Sequence, residues 1–306
     1  MALVLFEKVN ALPGITVANT IYAVKNGAGF DWYITSTTNV VTSMNAPSVS
    51  GLSRNMGTWT LPIFDSTELP IADWQPPGNA TTVPGVTGIQ ALTAITAAVA
   101  RTIATTNAMA RRRRLGYPTS AATAGLLAGA RLAVAQFTLG ATPVGGFVFT
   151  QEFGCADAAT VAGARQFCGV TSNIAAPTNV EPSTLLNCIG VGHGAADTNL
   201  KIYTAGSTAN AAVDLGANFP ANTLSADMYK LTIYAPKDPV LAGFKAAWHV
   251  KRIGTTFTAS GILTGAAGTT VPSTTTLLTT NNWRCNNATA LAVNLDLGAI
   301  TLQTLD

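Results

Sequence analysis

The sequence predicts a mainly β protein in three parts: a small N-terminal β module over residues 1–74, a linker and connecting helix over 75–114, and a C-terminal antiparallel β-sandwich over 115–306. Three observations lead to this prediction. Short segments alternate apolar and polar residues, turn residues separate them at short intervals, and one window alone has apolar residues at the period of a helix. Many short strands with frequent turns are typical of a sandwich, and we expect a jelly roll.

Composition indicates a folded chain with an unusual surface. Of the 306 residues 48% are hydrophobic, which is enough to bury a core, but only 10% are charged, against about 25% in typical soluble domains. Such a chain is either a membrane protein or a stiff β structure that has outer faces rich in Thr and Asn and forms part of a larger assembly. A spanning helix needs about 20 predominantly apolar residues, and Arg131 and Gln136 interrupt the most apolar stretch, 121–139. We therefore expect no membrane insertion.

The N-terminal module is predicted from a hairpin signal. The segments 15–24 and 30–35 are rich in residues that favour strands, and Asn26-Gly27 lies between them. Asn-Gly between two such segments is a strong signal for a tight hairpin turn. The sequence therefore predicts two antiparallel strands in a small all-β module.

The connecting helix is predicted from the spacing of large apolar residues over 87–110, which follows a Pro- and Gly-rich linker from about residue 69 to 88. The residues that recur at steps of three and four are Ile89, Leu92, Ile95, Val99 and Ile103. On a helix they form one narrow stripe. Such a stripe suits a seam between parallel helices, so these residues are candidates for oligomerisation as a homotrimer. The alternative is that the helix lies along the sandwich of its own chain.

Four consecutive arginines, Arg111 to Arg114, follow the predicted helix. Cations are favoured at a helix C-terminus, so one interpretation is a solvated basic cap. The other is a docking site for carboxylates or phosphate on a partner. Outside this run the charges nearly balance, and a nucleic-acid-binding surface needs basic residues spread over a face. We therefore predict no nucleic-acid partner.

The C-terminal sandwich is predicted from alternating segments. Leu231 and Ile233 alternate with polar residues, and so do Trp248 and Val250. Near the end of the chain, apolar residues fall on odd positions through Leu297 but on even positions from Ile300. A β-bulge at Gly298 would restore the apolar side of that strand.

Residues that carry chemistry are few. There are two histidines, His193 and His249, and no G-x-S-x-G motif that would place a nucleophilic serine beside either. The paired acids of a glycoside hydrolase remain the one enzymatic option, and the candidate carboxylates are Glu152, Asp157, Glu181, Asp197, Asp214 and Asp227. Nothing in the sequence pairs any two of them. We predict no catalytic residue, no cofactor and no enzyme activity.

The four cysteines are not spaced as metal ligands. Cys155, Cys168, Cys188 and Cys285 show no C-x-x-C pair and no His at ligand spacing, so buried reduced thiols are expected rather than a metal site.

The first six residues run directly into Glu7 and Lys8 and lack the pattern of a secretory signal. We therefore expect synthesis in a cytoplasm.

Aromatic side chains are candidate platforms for sugar rings, because rings stack on exposed Trp or Tyr faces. The candidates are Trp283, Trp248, Tyr203 and Tyr234. Trp248 alternates as a core residue, and the sequence does not decide among the others. The ligand-binding residues are therefore left unassigned.

Several segments resemble known proteins. The stretch from Leu12 to Ile34, with Tyr22-Ala-Val-Lys-Asn-Gly-Ala-Gly-Phe-Asp-Trp-Tyr33, resembles the N-terminal segment of tail-fibre and collar proteins of tailed bacteriophages. The segments that resemble the β-sandwich module of such appendages are Arg165-Gln-Phe-Cys-Gly-Val170, Ala176-Pro-Thr-Asn-Val-Glu-Pro-Ser-Thr184, Asn187-Cys-Ile-Gly-Val-Gly192 and Asp214-Leu-Gly-Ala-Asn-Phe-Pro220.

The resemblance implies a subunit of a virion that is made in the bacterial host cytoplasm. It implies a homotrimeric tail or short fibre that is anchored to other virion proteins by its N-terminal part and projects a lectin-like sandwich for host attachment. It brings no catalytic residue. The alternatives are a capsid-decoration, collar or baseplate protein that binds no receptor, and a glycan depolymerase.

Overall fold

The computed structural model describes residues 92–121 and 123–305 in full and, before them, the backbone of seven short strands. The chain divides into two compact units, Met1–Glu68 and Leu69–Asp306.

The described backbone of the first unit is a four-stranded sheet in the order β1-β2-β3-β4 and a separate two-stranded ladder, β5-β6. The strands are β1 (Leu5–Val9), β2 (Thr20–Asn26), β3 (Gly29–Thr35), β4 (Val41–Ser43), β5 (Asn55–Met56) and β6 (Trp59–Thr60). β1 runs parallel to β2. β2 and β3 are antiparallel, with Asn26 opposite Gly29. The predicted hairpin is confirmed.

The second unit is an antiparallel β-sandwich, which confirms the predicted mainly β class. Its strands are β7 (Ala72–Trp74), β8 (Thr93–Ala94), β9 (Val99–Ala100), β10 (Leu115–Pro118), β11 (Leu127–Arg131), β12 (Phe147–Cys155), β13 (Arg165–Thr171), β14 (Cys188–His193), β15 (Lys201–Ala205), β16 (Val213–Asp214), β17 (Tyr229–Ala235), β18 (Ala246–Arg252), β19 (Thr258–Leu263), β20 (Thr279–Cys285) and β21 (Asn294–Thr304). A 3-10 turn at Pro182–Thr184 and one short helix, α1 (Pro239–Ala242), complete the described elements.

The strands of the sandwich form two sheets. Sheet I has the order β19-β18-β17-β12-β21-β10-β9, with β7 also paired to β21. Sheet II has the order β16-β15-β14-β13-β20-β11-β8. Strands that are adjacent in sheet I, such as β12 and β21, are far apart in sequence, so most of the pairing is long-range. The first and last described strands of the sandwich, β7 and β21, pair with each other in sheet I.

The core lies between the two sheets, and the predicted alternation holds along its strands. Leu231, Ile233 and Val250 are fully buried, and Trp248 is nearly so. The bulge near the end of the chain is also confirmed. Gln151 pairs with Ile300 and Phe153 with Leu297, so one residue of β12 faces two of β21. That extra residue lets the apolar residues on both sides of Gly298 face the same core.

The predicted connecting helix is wrong over the residues that the structure describes. Within 92–110 the chain forms the two short strands β8 and β9, which pair with β11 and β10. Eight of these nineteen residues are β-branched, and β-branched residues favour strands over helices. None of the described segments forms a helix with the length and apolarity to cross a membrane.

The residues of the predicted stripe separate because they no longer share a helical face. Leu92 packs against the main core, whereas Ile95 packs against a second cluster on the other face of sheet II. Val99 lies in an edge strand, and Ile103 is 44% exposed. Ile89 lies outside the described residues. No helical seam exists here to carry the predicted oligomerisation.

The cysteines provide a test of this packing. All four are buried and unpaired, as the sequence predicts. Burial raises the pKa of the Cys155 and Cys188 thiols to about 12 and also raises the pKa of Cys168 and Cys285. Because the thiolate is the reactive form, we expect the native protein to react with a thiol reagent at pH 8 at least about 100-fold more slowly than the same protein in urea. A thiol that reacts quickly in the native protein would contradict the described core.

Candidate functional site

Sheet II has an apolar cluster on each face, because successive residues of a strand point to opposite sides. On β13, Cys168 and Val170 belong to the core between the sheets. Phe167, one residue earlier, belongs to the cluster on the opposite face together with Trp283 of β20. We call this opposite side the outer face of sheet II.

The aromatic side chains of the outer face lie side by side. Phe167 and Trp283 are directly paired across β13 and β20, and Tyr203 on β15 belongs to the same cluster. Gly190 leaves room for this arrangement. A Cβ atom at position 190 would lie 2.5 Å from the ring of Phe167, which is closer than any real contact. The ring therefore packs directly on the backbone of β14.

The connection between β13 and β14, residues 172–187, folds back over this face, and we call it the strap. Leu185 packs against the aromatic cluster. Arg165 of β13 anchors the strap to the sheet. Its Nε donates to Glu181 Oε1 at 2.9 Å, and its Nη1 donates to Asn179 Oδ1 at 2.7 Å. Arg131 also donates to the carbonyl oxygen of Ile174. Apolar packing and directed hydrogen bonds thus place the strap above the sheet.

A small cleft of about 40 Å³ lies between the strap and the sheet. The residues that line it are Phe167, Thr171, Asn173, Pro177, Thr178, Val180, Leu185, Asn281 and Trp283. None of these side chains is ionisable, and more than half are apolar. The cleft therefore suits a neutral ligand that presents both an apolar surface and a few polar groups.

Asn281 is the polar residue of the cleft whose bonding is incomplete. Its side chain is almost fully buried, at 2% exposure. Nδ2 contacts the carbonyl oxygens of Asn173 and Ala175 in the strap, both at 3.5 Å. No donor of the described residues reaches Oδ1. Turning the amide over would place Oδ1 against two carbonyl oxygens, so the free acceptor is fixed by its surroundings. A buried acceptor without a donor costs about 1–3 kcal/mol.

On the inner face of sheet II, Arg284 forms the most buried ion pair. Its guanidinium is 1% exposed and donates to Asp157, with Nη2 to Oδ2 at 2.6 Å and Nε to Oδ1 at 3.1 Å. Nη1 donates to Gln166 Oε1 at 3.2 Å and to His193 Nε2 at 2.7 Å. The backbone N–H of Asn294 donates to Asp157 Oδ1 at 2.8 Å. The charges are thus paired and hydrogen-bonded, as buried charges must be.

His193 is held neutral by this network. A guanidinium can only donate, so Nε2 accepts and the ring proton sits on Nδ1, which donates to the carbonyl oxygen of Gly194 at 3.1 Å. Burial and the neighbouring Arg284 lower the pKa of His193 to about 3. A histidine whose acceptor nitrogen is occupied by a cation is a structural residue and not a general base. His249 is half-buried, and its pKa is lowered by burial and by Lys251 and Lys230.

The candidate carboxylates are not brought together as a catalytic pair. Each has its own partner within the chain: Asp157 pairs with Arg284, Glu152 with Arg112, Glu181 with Arg165, Asp197 with Lys201 and Asp227 with Arg252. Asp214 accepts from Asn199 and from the backbone of Gly216. Across residues 92–121 and 123–305, no three His, Cys, Asp or Glu side chains gather as metal ligands.

Most of the arginine run is used inside the chain. Arg112 pairs with Glu152, and Arg114 donates to Asp296 Oδ2 at 2.8 Å. Arg111 is exposed, and its Nη2 donates to the carbonyl oxygen of Thr105 at 3.1 Å. The run lies directly before β10 and not at the end of a helix, so the helix-cap interpretation is wrong. Arg113 is also exposed, and docking of the run to a partner stays a prediction.

Of the four predicted aromatic platforms, two lie on the face that carries the cleft. Trp283 lines the cleft, and Tyr203 donates to Asp197 Oδ2 at 3.1 Å nearby. Trp248 is a core residue, as its alternation predicts, and Tyr234 packs edge-on against Phe244 on sheet I. Sequence reasoning missed Phe167 and Asn281. The turn cluster at 176–182 was the available signal, since it forms the outer wall of the cleft.

Comparisons with known proteins give distant likenesses of structure. No protein-family model matches the chain, and no curated protein matches it. Arcelin-5, a lectin-like defense protein from Phaseolus vulgaris, is 9% identical with a TM-score of 0.43, and the match covers 63% of this chain and 86% of arcelin-5. A protein of unknown function from Shewanella oneidensis MR-1 is 12% identical with a TM-score of 0.43, and the match covers 76% of this chain and 85% of that protein.

The carbohydrate recognition domain of Emp47p is also similar. It is 8% identical with a TM-score of 0.45, and the match covers 78% of this chain and 98% of that domain.

Proposed function

We propose that this protein is a non-enzymatic subunit of a tailed-phage virion appendage whose sandwich binds a host-surface glycan in the cleft beneath the strap. The observation that carries the binding role is the cleft itself. Its wall is aromatic, its lining is uncharged, and it contains a buried amide oxygen without a donor. Sugars present apolar C–H faces beside hydroxyl and amide groups, which matches this lining.

Binding is a better account of the sandwich than glycan hydrolysis. Hydrolysis needs two carboxyl groups that flank one glycosidic bond, one of them free to give up or take a proton. Here the carboxylates that the sequence offered are held separately by arginine, lysine or backbone groups. The cleft has no carboxylate in its lining.

The virion role is supported by the resemblance of residues 12–34 and of the sandwich segments to phage appendage proteins. In this proposal the first unit attaches to other virion proteins. Self-association as a homotrimer rests on that resemblance alone, because residues 92–110 form strands in place of the predicted helical seam. Labelling of purified phage particles with an antibody against the sandwich tests the location. A particle without label would count against the virion role.

The cleft is tested by changing Thr178 to Arg. Thr178 is an exposed residue of the lining, so a long charged side chain there obstructs the cleft and leaves the core intact. We expect this variant to lose at least about tenfold in affinity for host-surface polysaccharide, because the arginine side chain occupies the space of the ligand and even one lost buried polar contact is worth about that much. Binding to an immobilised panel measures the affinity. Ser183→Arg is the matched control. It adds the same charge to an exposed strap residue outside the lining, and its affinity should not change. Equal binding by both variants would remove the cleft from the proposal.

A structural virion protein without a receptor is the second candidate. An exposed apolar projection favours it: Val240 and Leu241 of α1 are 80% and 87% exposed. Asp238 fixes this turn by accepting from the backbone N–H groups of both residues at 3.0 Å. A rigid apolar projection suits packing against another protein. A wild-type protein that is incorporated into particles but binds no polysaccharide of the panel would favour this candidate.

A further inference from the structure

We infer that the cleft beneath the strap recognises the acetamido group of an N-acetylated amino sugar, with the amide N–H of the ligand donating to Asn281 Oδ1. This inference rests on the proposed glycan binding and specifies its chemistry. It follows from four features of the cleft: its free acceptor, its apolar wall, its lack of charge and its size.

The free acceptor requires a donor. The Nδ2 group of Asn281 faces the strap carbonyls, so Oδ1 points away from them. No donor of the described residues reaches Oδ1. A ligand that supplies an N–H or O–H recovers the hydrogen bond that the folded protein lacks. A ligand group with acceptors only, such as an ether or a carboxylate, would be repelled by the same oxygen.

The apolar wall distinguishes an acetamido group from a hydroxyl group. The apolar members of the lining are Phe167, Pro177, Val180, Leu185 and Trp283. A bare hydroxyl could satisfy Asn281 but would leave this wall in contact with water. The methyl of an acetamido group lies two bonds from its N–H, so one substituent meets both the acceptor and the wall. Its carbonyl oxygen can accept from the Thr178 hydroxyl or the Asn173 amide at the rim.

The lack of charge excludes the related charged sugars. No arginine or lysine lines the cleft to hold the carboxylate of a uronic acid, and no aspartate or glutamate lines it to hold the ammonium of a deacetylated amino sugar. Burying either charge without a partner is unfavourable. The cleft therefore favours N-acetylglucosamine, whose amide is neutral, over glucosamine, whose ammonium group is charged.

The size limits how much of the sugar enters. At about 40 Å³ the cleft is much smaller than pockets that enclose a whole ligand, which range from roughly 300 to 1,000 Å³. It has room for one small substituent, and the sugar ring stays outside. Oδ1 is covered in the free protein, so the strap shifts when the ligand enters, and its two contacts to Asn281 are long enough to be replaced.

Saturation-transfer NMR with four monosaccharides tests the inference directly. The probes are N-acetylglucosamine, N-acetylgalactosamine, glucosamine and glucose. We expect both N-acetyl sugars to bind, with the strongest saturation on the acetyl methyl, and the other two to bind at least about tenfold more weakly. Equal binding of glucosamine, or strongest saturation on ring protons remote from the acetyl group, would overturn the inference. This measurement needs only the wild-type protein.

Changing Asn281 to Leu provides the second arm. Leucine has a similar volume and removes the acceptor, so affinity for the N-acetyl sugars should fall about tenfold or more. Ser183→Arg should bind as the wild type does. If Asn281→Leu does not fold, the comparison of glucosamine with N-acetylglucosamine on the wild-type protein remains the test of the acceptor. Undiminished binding by the variant would contradict the role of Oδ1.

The outcomes separate this inference from the proposed function. Binding to a polysaccharide without N-acetyl sugars that is lost in Thr178→Arg would leave the proposed function standing and refute the acetamido assignment. A protein that binds no monosaccharide and no polysaccharide would refute both.

Discussion

Replacing Arg284 with methionine is expected to lower the free energy of unfolding of the sandwich by roughly 3–5 kcal/mol, the cost of breaking a buried ion pair from one side. Asp157 would stay buried with a charge and without its guanidinium, and His193 and Gln166 would each lose a hydrogen bond. Urea unfolding followed by thiol labelling measures this effect in the sandwich alone, because all four cysteines lie in that unit.

Two variants control for this result. Arg165→Met removes the same side chain from an ion pair with Glu181 that is partly exposed, and should cost about 1 kcal/mol or less. The double variant Arg284→Met with Asp157→Asn removes both charges and should recover part of the lost stability. If Arg284→Met were no more costly than Arg165→Met, the Arg284 network would not be a buried ion pair.

Acid is expected to destabilise the sandwich as soon as the pH falls below about 6.5, the pKa of histidine in the unfolded chain. The folded pKa of His193 is about 3, whereas the unfolded chain takes up this proton near pH 6.5. The pKa is lowered by folding, so the contribution is complete above pH 6.5 and is lost as the pH falls from there toward 3. Between pH 7 and pH 4 the loss amounts to roughly 3 kcal/mol. Urea midpoints measured at intervals of pH give the slope.

The variant His193→Gln isolates this contribution. Glutamine can accept from Arg284 and donate to the Gly194 carbonyl without titrating, so the slope between pH 6.5 and pH 4 should become shallower. His249→Gln is the comparison, because His249 is only half-buried and its removal should change the slope much less. A slope that His193→Gln leaves intact would mean that other groups control the acid response.

The sequence predicts those parts of the fold that rest on local rules. The hairpin of β2 and β3 follows from Asn26-Gly27, and the bulge follows from the change of parity between Leu297 and Ile300. The helix predicted over 87–110 is wrong within the described part, 92–110, because the spacing of apolar residues was weighed without the β-branched residues between them. Pairing with β10 and β11, which begin after that segment, decided its structure.

The candidate site was predictable only in pieces. Trp283 and the turn cluster at 176–182 stand out in the sequence, but their meeting depends on the pairing of β13 with β20, more than 100 positions apart in the chain. Asn281 resembles any other Asn of a Thr- and Asn-rich strand. Its free oxygen results from the fold of the strap above it, which no local pattern encodes.

Gly190 affects how the ligand preference of the cleft can change. The ring of Phe167 lines the cleft and packs directly on the backbone of Gly190. One added methyl group there would push the ring upward and make the cleft shallower, while every residue that a ligand touches stayed the same. A descendant of this protein could therefore exchange one ligand for a smaller one through a substitution that the ligand never contacts.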